Sequence, residues 1–147
     1  MTALVHLRTH VLASILLMVW FAACSASIAP FSQTAYRLAT DLKVESLKLM
    51  EKAEMPFDKQ AKEVDKLGLE LEKAYEFAKG RPRNNLSTRQ WQILLDPDRN
   101  LLGGFLKRWK AEGSLSGPFI AEARLQISDA FDTIIGLESG KIKAGKR

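Results

Sequence analysis

The sequence holds one cysteine and two histidines in 147 residues. A single Cys excludes an intramolecular disulfide framework and any cysteine-cluster metal site. Both imidazoles, His6 and His10, fall within the first ten positions. If that segment is removed, none remains for a hydrolytic triad or for a zinc site built on His. A phosphate-binding loop is missing as well, since Leu102-Gly103-Gly104-Phe105 lacks the Lys-Ser/Thr ending such a loop needs. No stretch alternates apolar and polar residues for long, so strands are not predicted. The longest apolar run, Val11 to Ala23, has 13 residues and is broken only by Ser14. Crossing a bilayer takes about 20.

What is present is an ordinary globular balance, 46% hydrophobic and 27% charged residues. The length suits one domain and a proper core. Lys and Arg number 22 against 17 Asp and Glu. Arg8 and the terminal Lys141, Lys143, Lys146 and Arg147 carry the whole excess, so Cys24 to Gly140 is neutral. A neutral body lacks the clustered basic face of a nucleic-acid platform. The basic tail suits anionic lipid or a cell-wall polymer, or it is a solvated terminus.

The N-terminal 23 residues read as an export signal. Arg8 and the α-amino group precede the apolar run, no acid accompanies them, and small residues follow. Phe21-Ala22-Ala23-Cys24 resembles the lipobox of bacterial lipoproteins, with Phe21 standing where Leu, Val or Ile is commonest. The resemblance implies cleavage before Cys24, a diacylglycerol on its thiol and an acyl chain, palmitate in type, on its new amino group. It implies no other cofactor. By the sorting rule of enterobacterial lipoproteins, Ser25 after the Cys points to the outer membrane. Two other readings stay open. An ordinary signal peptidase would cut after Ala26 or Ala29, and an uncleaved anchor is disfavoured by the shortness of the run.

The mature chain is predicted to be all-α, a small antiparallel bundle of three long and two short helices. Residues 24–31 form a lipidated tether, 32–140 the bundle and 141–147 the basic tail. The first helix spans about Ser32 to Glu54, with Tyr36, Ala39, Leu42, Leu47, Met50 and Ala53 on its apolar face. In the second, Phe57, Ala61, Val64, Gly68, Leu71, Tyr75 and Ala78 make a heptad seam flanked by Leu67 and Ala74. Gly68 would let a neighbouring backbone approach, and Lys66 and Glu70 are spaced as an i,i+4 pair. The seam suits packing within the chain or, alternatively, a homo-oligomeric coiled coil from Phe57 to Ala78. Ser87-Thr88-Arg89-Gln90 reads as a capping box opening a short helix to Leu95. A second short helix runs from Leu101 to Glu112, weakened at its start by Gly103-Gly104. The last runs from Pro118 to Glu138 with Ile120, Ala123, Ile127, Ala130, Ile134 and Leu137 as its seam.

Chemistry-bearing residues concentrate between Lys79 and Trp109. Trp and Arg are the residues most enriched at binding hot spots. Arg81, Arg83, Asn84, Trp91 and Trp109 are therefore the candidate binding residues, with Trp91 and Trp109 equally suited to the core. No residue is singled out as catalytic and none as a metal ligand. Asp96-Pro97-Asp98-Arg99-Asn100 begins like a calcium loop, but Leu101 and Lys107 replace the Gly and Glu it requires. Asp129 and Asp132 share a helix face and read as solvated.

The expected protein is thus a lipid-anchored component of the bacterial envelope facing the periplasm. It would bind, adapt or support an envelope protein partner, without nucleic acid. The alternatives are an envelope-polymer hydrolase using carboxylates and Arg between Arg81 and Arg99, or a secreted soluble helical binding protein.

Overall fold

The computed structural model describes residues 29–142. The signal segment, Cys24, Ser25 and the tail residues Lys143, Lys146 and Arg147 lie outside the described residues, so the expectations placed on them are carried by sequence alone.

Among the described residues the chain is an all-α bundle of three long and two short helices, with no strand. Helix α1 spans Gln33–Met50 and continues as a 3-10 turn, Glu51–Glu54. Its first turn is capped by Ser32, whose hydroxyl accepts from the Ala35 N–H at 3.3 Å. The expected single helix to Glu54 tightens at its end because Met55 is extended ahead of Pro56. The buried face differs from expectation at some positions. Ala39, Leu42, Met50 and Ala53 are buried as expected, joined by Ala35, Ser46 and Leu49, while Leu47 is only partly buried and Tyr36 lies outside. Ser46 is fully buried and its hydroxyl has no hydrogen-bond partner among the described residues.

Helix α2, Phe57–Gly80, buries Phe57, Val64, Leu67, Leu71, Ala74 and Ala78. The flanking Leu67 and Ala74 lie deeper than Gly68 and Tyr75, which are only half-buried. No backbone nears Gly68: a Cβ there would meet nothing within 4 Å. Glu70 pairs with Lys73 at 2.7 Å rather than with Lys66. The Phe57-to-Ala78 seam is covered by the chain's own α1 and α3, so it is not a free surface.

Helix α3 is Asn85–Leu95, α4 is Leu102–Glu112 and α5 is Gly117–Glu138. α1, α2, α3 and α5 form a closed ring of neighbours, each packed on the next, and α4 lies against α3 and α2. Two glycines allow that last contact. A Cβ at Gly103 would collide with the Leu95 carbonyl, and one at Gly104 with the Arg99 carbonyl. The pair that weakens the start of α4 is what lets α4 meet the end of α3.

One end of the bundle is closed by backbone and aromatics. The Phe57 N–H donates to the Gly113 carbonyl at 2.7 Å, and the Leu115 N–H to the Ala53 carbonyl at 2.8 Å. Trp109 fills the space between, its indole N–H donating to the Met55 carbonyl at 3.1 Å. Its ring meets Phe57 edge-on at 5.5 Å.

Candidate functional site

The opposite end is closed by a charged hub. It forms where α2 ends, α3 begins and α5 ends. Glu138, in the last turn of α5, has a side chain only 1% exposed. A carboxylate there sits at the negative end of the helix dipole, the unfavourable end. It is held by an ion pair with the Arg81 guanidinium, itself 13% exposed. The other carboxylate oxygen accepts from Asn84 Nδ2 at 3.1 Å and from the Ser87 hydroxyl at 2.5 Å. Asn84 Nδ2 also donates to the Ala78 carbonyl at 3.0 Å, satisfying the end of α2. The second arm of Arg81 donates to the Pro30 carbonyl at 2.6 Å. Ala29 is buried beside it, so the tether meets the bundle one residue before Pro30.

This arrangement corrects one expectation. α3 begins at Asn85, not after Ser87, and Ser87 spends its hydroxyl on Glu138 instead of capping the helix. The hub is a staple and not an acid–base device. Both carboxylate oxygens are engaged, and general catalysis needs a group within reach of a substrate proton.

The five candidate binding residues fall in three places. Arg81 and Asn84 come together in the hub. Arg83 is exposed in the connecting loop with φ 60°, the left-handed region. Trp91 and Trp109 are 2% and 0% exposed core residues. Trp91 meets Phe131 edge-on at 5.9 Å. Neither indole is available to a partner, because each completes the apolar seam of its short helix. Ser87 and Glu138 were not among the candidates. The available signal was Glu138 itself, an acid in the last turn of a helix with no base beside it.

The same stretch of sequence nonetheless lines an open groove. The groove, of about 800 Å³, runs along α2 and α3 and the loop after α3. Its walls are Tyr75, Asn85, Thr88, Arg89, Gln92, Ile93, Leu95, Asp96, Pro97 and Arg99. Gln92 Nε2 donates to the Tyr75 hydroxyl at 2.9 Å across it. Asp96 is its single carboxylate, and that group already accepts from the Asp98 N–H at 2.9 Å and pairs with Arg99 at 3.3 Å. Asp98 in turn pairs with Lys107 at 2.8 Å, which holds the Asp98 carboxyl below its usual range and the Lys107 ammonium above its own. The two acids of the calcium-like segment thus form a turn that leads into α4. Glycoside hydrolysis of the ordinary kind needs two carboxylates facing one bond. The groove offers polar and cationic contacts and one engaged acid. Asp132, on α5, pairs with Lys43 at 2.6 Å, and Asp129 is exposed.

No three His, Cys, Asp or Glu side chains converge as metal ligands among the described residues. No described helix is long and apolar enough to cross a membrane. The chain matches no family model, no curated protein and no solved structure.

Proposed function

We propose that the protein is a bacterial envelope lipoprotein, anchored through Cys24, whose bundle binds an envelope partner along the α2–α3 groove. The observation that carries this reading is the position of the single Cys at the end of a 13-residue apolar run. Ser25 favours the outer membrane. Two acyl chains on the thiol and one on nitrogen give stable anchoring, at about 0.8 kcal/mol for each buried methylene. The anchor raises the bundle's effective concentration near other envelope proteins. The groove, with Arg89 and Arg99 among amides and hydroxyls, suits a polar partner surface.

The test is the intact mass of the protein recovered from cell membranes, beside a Cys24→Ser variant. The expected species is residues 24–147 plus three acyl chains, absent from the variant. A lipid-free chain starting at Ser27 or Pro30 would replace anchoring with secretion. Photocrosslinkers at Arg89 and Gln92 then test the groove: they should trap an envelope protein that a crosslinker at Leu125, exposed on α5, does not.

A further inference from the structure

The two ends of the described chain leave the bundle side by side. Arg81 ties Pro30 to Glu138. Just beyond, Gly140 turns at φ 71° and the Ile142 N–H returns to the Gly136 carbonyl at 3.0 Å. Val44, Met55, Leu69 and Leu125 are exposed singly elsewhere, while four exposed apolar side chains fall at this end. Phe31 is 62% exposed and Ile142 41%. Tyr36 and Phe77 are exposed too, so all three exposed aromatic side chains of the described residues lie in the turns that meet here. Arg37, Arg83 and Lys141 are exposed around them. The acids Glu76 and Glu138 are paired, with Lys79 and Arg81. In the sequence, Lys143, Lys146 and Arg147 follow. Aromatic side chains ringed by cations match the interfacial zone of a bilayer, where such rings sit at headgroup level.

We propose that this end of the bundle docks on anionic lipid headgroups, on the membrane that holds Cys24. The inference rests on the lipoprotein reading for the identity of that membrane. Five residues separate Cys24 from Pro30, and extended chain spans at most about 3.6 Å per residue step, or roughly 20 Å. That reach keeps the aromatic end close to the surface. Docking then turns the α2–α3 groove, which runs along the bundle from this end, outward from the membrane.

The test uses the full chain purified from membranes and placed in vesicles. One set is phosphatidylethanolamine with phosphatidylglycerol, the other phosphatidylethanolamine with phosphatidylcholine. Amide hydrogen exchange is read at residues 30–37, 76–83 and 139–142. Exchange there should slow at least about fivefold more on the anionic set, the effect of a single surface cation. Arg37→Glu with Arg83→Glu and Lys141→Glu, all exposed and unpaired with Glu138, should abolish that difference while the far end keeps its protection. Equal exchange on both sets, with Cys24 acylated, overturns the docking and leaves the anchor standing. If Cys24 carries no lipid, vesicles added to the soluble chain give the same reading, and protection by anionic vesicles alone still supports docking. Protection that rises with protein concentration before any vesicle is added would assign the surface to a second copy and overturn the proposal.

Discussion

The two ends of the bundle do the same job with opposite chemistry. The end near Trp109 joins its loops by backbone hydrogen bonds and packs aromatic rings between them. The end near Glu138 joins its loops through one buried carboxylate and three side-chain donors. Aromatic closure is non-directional and proportional to buried area. Ionic closure is directional, and it turns costly when one partner is lost. The first kind tolerates adjustment. The second specifies which turns meet, here the loop after α2, the start of α3 and the end of α5.

The sharpest probe of the aromatic end is Trp109→Ala. It removes a fully buried indole and orphans the Met55 carbonyl. Urea unfolding should show a loss of about 3–5 kcal/mol. Arg81→Ala probes the other end and should cost about 3 kcal/mol by the same measurement, because Glu138 keeps a buried charge with two neutral donors. A loss below the cost of an exposed pair, about 1 kcal/mol, would break the contrast and make the hub incidental. Gly104→Ala comes next. The new methyl meets the Arg99 carbonyl, and overpacking of this kind costs about 1–3 kcal/mol. Its near-UV circular dichroism should change with it, since α4 carries Trp109.

The smallest effect is expected at Asp98→Asn, which sharpens the contrast by removing an exposed ion pair. The folded Asp98 carboxyl lies below the ordinary value of 3.8. The pair therefore stabilises fully above that value, and its contribution is lost as pH falls through the lower, folded one. The variant should melt slightly below the parent at neutral pH. Melting curves recorded down to about pH 2 should converge. A gap that persists in acid would mean the effect belongs to the turn and not to the charge.

The helices were legible because each repeats apolar residues at helical spacing, and Pro56, Pro82 and Gly113 punctuate them. The face of α1 was legible only in part, through Ala39, Leu42, Met50 and Ala53. Ser46 holds a seam position that a hydrophobicity pattern skips, and Tyr36 is apolar enough to be counted while its body remains at the surface. The candidate residues hold only part of the hub. Arg81 and Asn84 lie within it, but the carboxylate that organises them is 54 residues beyond Asn84. Local pattern cannot report a contact at that separation. Ser87 illustrates the same limit. Its spacing to Gln90 fits a capping box, yet a buried carboxylate at 2.5 Å is the stronger claim on its hydroxyl. The groove residues Thr88, Arg89 and Gln92 were hidden in plain view, on the polar face that pattern reading assigns to water.

The reach of Arg81 from Pro30 to Glu138 also sets an order of events. A chain delivered from its N-terminus first presents α1 to α4 well before the final turn of α5. Until that turn arrives, the α1 and α3 faces lack their shared neighbour and Arg81 lacks its carboxylate. The closing contact bridges 57 residues of chain, and contacts at that separation form more slowly than local ones. This end of the bundle thus closes only after the last turn of α5 has been delivered.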